Sequence, residues 1–217
     1  MIASNILDIV TLAIILLIAI WLHEFAHAYV SYKLGDPTPK LQWRLTTNPI
    51  KHIDPVGFLM IFLVWFWWWK PVQINPLYYK NPLKWELLVA LAWPAMNVVL
   101  AVVWIFIMLA SAKITWVWLD NIITWNYWFW IWFLMQFSML NISLAVFNLL
   151  PIPPLDGFSI VKMILPKFTD KIKPYMQYIT IGFLILLFFR KPFVTFLSNT
   201  SYTVFRLIFA FFSSIFY

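Results

Sequence analysis

His23, Glu24 and His27 lie inside a continuous apolar run from Ile6 to Val30, and that placement limits this chain more than any other feature. The run is long enough to cross a bilayer as a helix, which takes about 20 apolar residues. Ionisable groups at that depth cost roughly 2.5–3.5 kcal/mol each on insertion scales, so this cluster demands an explanation. Helix geometry offers one: residues four apart share a face, so His23 and His27 can direct two imidazoles at a single zinc ion. Glu24 can then reach a water at that ion as general base. A solvated polar face is excluded, and the combination points to peptide hydrolysis within the bilayer.

With 64% hydrophobic and 11% charged residues among 217, the chain reads as an all-α polytopic membrane protein. One membrane-embedded domain is expected over residues 1–217, with a catalytic core from about 6 to 165 and C-terminal membrane helices from about 172 to 217. The net charge of +7 comes from basic residues in short loops, where they set topology, so no nucleic-acid partner is expected. Cysteine is absent, which removes disulfides, thiolate metal sites and cysteine nucleophiles. The first apolar run is too long for a signal-peptide core and is expected to be retained.

Fifteen tryptophans stand against four glycines, although membrane helices favour small residues for close packing. Trp93 precedes Pro94, and Trp65, Trp67, Trp68 and Trp69 crowd the stretch before Lys70-Pro71. Trp93 and Trp104 fall within apolar segments rather than at an interface, which weighs against an aromatic belt. Some genetic codes read UGA as glycine and others as tryptophan, so many of these residues are expected to be glycines misread in translation.

The expected architecture is a bundle of about five (4–6) transmembrane helices with a re-entrant segment and a short β-hairpin-like connector. A first helix, about Ile6 to Lys33, stops at Gly35-Asp36-Pro37. The polar connector Pro37 to Asp54 has the alternation of a short hairpin. Val56–Trp69 would rise only about 21 Å as helix, short of the roughly 30 Å hydrocarbon core, and is expected to be re-entrant. Leu83–Ala112 and Trp128–Leu150 are spans. A short helix Phe158–Leu165 follows the proline-rich break, then apolar runs Ile172–Phe189 and Phe193–Phe216, the last interrupted at Ser198-Asn199-Thr200-Ser201. If Val56–Trp69 does not cross, Asp156 arrives on the same side as His27. Lys33, Lys40, Arg44 and Lys51 after the first helix, and Lys162, Lys167, Lys171 and Lys173 after Asp156, place that side inside.

Catalytic zinc takes three protein ligands, and two histidines leave one missing. Asp156 is the candidate: it follows the break in Asn148-Leu-Leu-Pro-Ile-Pro-Pro-Leu-Asp-Gly157, where an unwound helix end can aim a carboxylate into the bundle. An ordinary turn or capping role is the alternative. His52, beside Asp54, is either a donor or alternative ligand that gates the site or a loop histidine bonded to backbone, the latter favoured. Asn97 either bonds across helices or faces the site.

Taken together, the His23–His27 motif, Gly35-Asp36-Pro37, Asn48-Pro49 with His52-Ile-Asp54-Pro55-Val-Gly57, Lys70-Pro71-Val72 with Asn75-Pro76, Ala92-Trp93-Pro94-Ala-Met-Asn97 and the Asn148–Gly157 motif are highly specific. The chain resembles the site-2 protease family of intramembrane zinc metalloproteases, peptidase family M50, in its compact bacterial form without a PDZ domain. The resemblance covers Ile6 to about Leu165. Where the family pattern has Gly-Arg, a Gly before Lys-Pro-Val, and Ala-Gly-Pro, this chain has Trp43-Arg44, Trp67 and Trp69, and Trp93, which supports misread glycines; Trp68 matches an aromatic the family often has. The resemblance implies one Zn2+ held by His23, His27 and Asp156, with Glu24 activating water and Asn148 orienting substrate or stabilising the oxyanion. The implied activity is endoproteolysis in or near transmembrane segments of other proteins, at the cell membrane, with the active site toward the cytoplasm and membrane lipid around it. Strand addition to the Pro37–Asp54 connector would hold an extended substrate. No oligomeric state follows from the sequence. Alternatives are a catalytically silent scaffold of the same fold acting as a binding or chaperone module, which the intact Glu24 opposes, and a haem or metal carrier, which leaves Asp156 without a role.

Overall fold

The computed structural model describes residues 6–46, 48, 51, 72–118, 125–188 and 190–216. They form helices throughout, with no strand among the described residues: α1 (Ile6–Lys33), α2 (Thr38–Leu41), α3 (Pro82–Trp118), α4 (Trp125–Asn148), α5 (Phe158–Ile164), α6 (Pro166–Ile172), α7 (Met176–Phe188) and α8 (Arg190–Phe216), with single 3-10 turns at Pro76–Tyr78 and Lys173–Tyr175. The connector after α1 therefore opens on a helical turn rather than a hairpin arm. Pro39 lies in that turn, and a proline suits the first turn of a helix because no intrahelical donor is needed there. The expected re-entrant segment Val56–Trp69, together with His52 and Asp54, lies outside the described residues.

Three helices are long and apolar enough to cross a membrane, within Val10–Lys33, Pro82–Lys113 and Phe129–Asn148. A fourth candidate is a pair, Pro166–Leu186 and Lys191–Phe216, bent by 87°. The count is thus three or four among the described residues, where about five (4–6) are expected of the whole chain. α8 runs without a break through Ser198–Ser201, the polar stretch that interrupts its apolar run. The flanking hydroxyls bond back to carbonyls four residues earlier, Thr195 to Lys191 and Thr203 to Asn199, whereas the buried Ser201 hydroxyl has no partner among the described residues.

α3 and α4 pack along their length, α1 lies against α3, and α8 covers both α3 and α4. Ala101, Ile105, Met108 and Leu109 of α3 meet Leu134 and Ile142 of α4 and Phe205 of α8 in the core. Alanines at the helix contacts, such as Ala19 and Ala28 of α1 and Ala101 of α3, are fully buried, as close approach in a bilayer requires.

A polar latch fixes the end of α1. Asp36 is fully buried; its carboxylate accepts from the Ser31 hydroxyl at 2.9 Å, the Thr38 N–H at 2.9 Å and the Asn75 N–H at 2.8 Å. Ser31 also meets the Tyr79 hydroxyl at 2.7 Å. This ties the chain segment ahead of α3 to α1. Burial pushes the Asp36 carboxyl up, but the hydrogen bonds from Thr38, Asn75 and Ser31 outweigh it and hold it below the usual carboxylate range. A carboxyl lowered in this way adds stability that is complete above its unfolded value of about 3.9 and is lost as pH falls through the folded value. Asp36→Asn is expected to remove about 1–3 kcal/mol at neutral pH and to flatten the acid limb of a Tm-against-pH curve. An unchanged acid limb would show that Asp36 is not the titrating latch.

Candidate metal centre

α1 carries His23 and His27 one turn apart, with ring centroids 4.7 Å apart and the planes at 87°. The Asn148 end of α4 and the turn that follows bring the third group. The Gly157 N–H donates to the Asn148 carbonyl at 2.7 Å, folding residues 149–157 back on the helix end. That return is close enough that a Cβ on Gly157 would collide with the Leu149 and Leu150 carbonyls, so only glycine fits. Asp156, one residue earlier, thereby faces α1, and its Oδ2 lies 3.4 Å from His27 Nε2. His23, His27 and Asp156 each offer a ligand atom, all within 4.8 Å of one another.

The hydrogen bonding around these groups suits a cation. His27 Nδ1 sits 2.8 Å from the Val89 carbonyl, which can only accept, so Nδ1 carries the proton and Nε2 presents a lone pair toward Asp156. Positive charge, a proton or a metal ion on Nε2, fits between that nitrogen and the carboxylate 3.4 Å away. His23 Nδ1 is buried with no hydrogen-bond partner among the described residues, while its Nε2 lies 3.1 Å from Glu24 Oε1. Tetrahedral zinc with bonds of about 2.0–2.1 Å sets its ligand atoms about 3.3 Å apart, close to the His27–Asp156 separation. Two imidazoles and a carboxylate form a donor set that zinc takes readily.

Glu24 is 4% exposed, and its other oxygen, Oε2, accepts the Val72 N–H at 2.7 Å. Its carboxylate is therefore oriented by backbone from a distant segment. Asn148 donates to the Leu144 carbonyl at 3.0 Å and lines the same cavity, of about 550 Å³, as the two histidines, Glu24 and Asp156. Asn97 does not complete the site: it is fully buried, and neither amide atom has a partner among the described residues. Trp93 does touch the site, with its ring centroid 3.6 Å from that of His23.

Of the residues singled out in the sequence, His23, Glu24, His27, Asn148 and Asp156 line this one cavity. Three features escaped that reading: the Val72 donor, the Val89 acceptor and an ion pair between Lys162 of α5 and Glu86 of α3 at the cavity wall, 2.5 Å apart. The first two are backbone groups, which no residue type marks. Lys70-Pro71-Val72 was visible as a motif, and its contact with Glu24 supplies the reason for Val72. The Lys162–Glu86 pair spans 76 positions and joins two helices whose adjacency no local pattern foretells.

The family model described as Peptidase family M50 matches residues 11–189. Among curated proteins, several named "Putative zinc metalloprotease" are similar. YwhC of Bacillus subtilis (strain 168) is 40% identical over 156 residues, covering 71% of this chain and 69% of that protein. Rip2 of Mycolicibacterium smegmatis is 31% identical over 191 residues, covering 79% of this chain and 65% of that protein. Rip2 of Mycobacterium tuberculosis (strain H37Rv) is 27% identical over 178 residues, covering 79% and 64% respectively. No solved structure matches the chain.

The Gly157 turn generates a structural prediction. Gly157→Ala forces the return of residues 149–157 off the α4 end and is expected to cost about 1–3 kcal/mol, as overpacking does, read as a fall in Tm in detergent. An unchanged Tm would mean that the close approach is not maintained.

Proposed function

We propose residue roles on one premise: the chain belongs to peptidase family M50 and is an intramembrane zinc metalloprotease. His23, His27 and Asp156 would hold one zinc ion per chain, Glu24 would serve as general base and acid, and Asn148 would orient the substrate or stabilise its oxyanion. The observation that supports this most is the convergence of three ligand atoms, from a membrane helix and a distant turn, within 4.8 Å. Nothing observed favours the silent scaffold.

When bound, zinc supplies a Lewis acid that polarises the scissile carbonyl and makes water more acidic. Glu24, held by the Val72 N–H, takes a proton from the attacking water as its oxygen bonds to the carbonyl carbon. The C–N bond then breaks, and Glu24 returns the proton to the leaving amine. The Val89 carbonyl keeps His27 in the tautomer whose Nε2 is free to bind metal, and Asp156 neutralises part of the charge. The Asn148 amide keeps a second N–H beyond the one given to Leu144, available to a substrate carbonyl.

The substrate would be a transmembrane protein or peptide, unwound locally, because helical amides are tied up in their own ladder. The chain would act as one domain in the cell membrane. Basic residues after α1 and after Asp156 support an active site toward the cytoplasm.

Glu24→Gln separates the roles. It is expected to keep zinc and to lower cleavage of a transmembrane peptide roughly 100- to 10,000-fold, whereas Asp156→Ala is expected to lose both zinc and cleavage. Full cleavage by Glu24→Gln would remove the general-base assignment, and zinc indifferent to Asp156→Ala would remove the third ligand.

A further inference from the structure

Two tryptophans occupy places built for glycine. α1 and α2 end in the same hydrogen-bonded closure. After α1, the Asp36 N–H reaches the Ser31 carbonyl at 3.1 Å and the Gly35 N–H reaches Tyr32 at 3.1 Å. After α2, the Arg44 N–H reaches Pro39 at 2.9 Å and the Trp43 N–H reaches Lys40 at 3.0 Å. This is the Schellman pattern, whose pivot residue adopts the left-handed conformation and is usually glycine. The pivot of α1 is Gly35, at φ 104°; the pivot of α2 is Trp43, at φ 57°. A bulky side chain is a rare occupant of that region. Trp43 gains nothing in return, since it is 78% exposed.

Trp93 is the reverse case, buried at 3% exposure. Its indole N–H is buried without a partner among the described residues, although a buried tryptophan ordinarily finds one. Its ring centroid lies 3.6 Å from that of His23 at 77°, whereas aromatic pairs settle at about 4.5–7 Å. The side chain is thus wedged against a proposed metal ligand. Asn97 lies one turn further along the same face of α3, with both amide atoms unpartnered among the described residues, and His23 Nδ1 is likewise unpartnered.

We infer that positions 43 and 93 are glycine positions, and that the absence of a side chain at 93 sets the room in which His23 orients toward the metal. UGA read as tryptophan in place of glycine produces such a chain. At position 93, glycine removes the wedge and leaves polar-lined space beside His23 Nδ1, of the kind that water occupies. Position 93 is a positioning residue: it acts through His23. That part rests on the residue roles proposed above; the part concerning position 43 does not.

The test compares the chain as written with Trp43→Gly, Trp93→Gly and His23→Ala in detergent, reading Tm and zinc affinity by chelator competition. A packed tryptophan changed to glycine leaves a cavity or a loosened helix and lowers Tm. Here Trp43→Gly is expected to raise Tm by roughly 2–4 °C. Trp93→Gly is expected to raise Tm and to tighten zinc about tenfold or more, the scale on which groups supporting a ligand act. A fall in Tm for both variants overturns the inference. If His23→Ala weakens zinc and Trp93→Gly does not strengthen it, the positioning role is overturned while the ligand set stands. If zinc ignores His23→Ala, the ligand set itself fails and Tm alone decides position 93. Should the chain as written not fold, peptide mass mapping of the protein from its own cells decides: glycine at 43 and 93 supports the inference, and tryptophan at both overturns it.

Discussion

The His27–Val89 hydrogen bond is the contact on which the rest of the site depends. An imidazole on a membrane-spanning helix has no bulk water to choose its tautomer. A backbone carbonyl of α3 makes that choice, placing the proton on Nδ1 and leaving Nε2 to face Asp156. The contact also ties α1 to α3 at the level of the site. Two further backbone links complete the frame. Val72 orients Glu24, and the Gly157–Asn148 bond turns Asp156 toward α1. Glu24 and His27 are tolerable at this depth because each is met by a group from another part of the chain, whereas His23 meets only Glu24 beside it.

The Asp36 latch serves the same frame from outside the membrane. It fixes Asn75 to the end of α1, three residues from Val72, so the short segment of residues 72–75 is held at both ends by carboxylates of, or just beyond, α1. The Lys162–Glu86 pair does the comparable work on the other side, fastening α5 to α3 just beyond Asp156. The Glu24–Val72 and Lys162–Glu86 ties line one cavity, the Asp36 latch holds Asn75 next to the lining residue Ile74, and none of the three lies in the apolar core that joins α3, α4 and α8.

What was legible in the sequence was what side-chain chemistry marks. The histidine spacing, the glycine stop after Lys33 and the proline break before Asp156 each announce themselves by residue type, and α1 spans Ile6–Lys33 as its apolar run and stop signal require. The meeting of Asp156 with His27 followed from counting crossings. What remained hidden was carried by backbone or by bending. Val89 and Val72 look like any other apolar residues. The polar stretch Ser198–Ser201 interrupts the last apolar run, yet α8 continues through it, with the flanking Thr195 and Thr203 hydroxyls bonded to the preceding turn. The 87° bend between the last two long helices separates segments that hydropathy alone counts as two crossings. In the connector, polar alternation suggested a hairpin, but Pro39 and the closure at residues 39–44 make a helical turn instead. The surplus of tryptophan was visible by counting, and the family pattern pointed to residues 43 and 93; the physical misfit at each needed a dihedral angle and a ring distance.

The central claim is that a membrane helix and a distant turn share one metal ion through two imidazoles and a carboxylate. X-ray absorption spectroscopy at the zinc edge of the metal-loaded protein tests it most directly. Light-atom neighbours are expected at about 2.0–2.2 Å, with imidazole scattering from two histidines, one of which disappears in His27→Ala. A spectrum with fewer than two imidazoles, or one unaltered by His27→Ala, would contradict it.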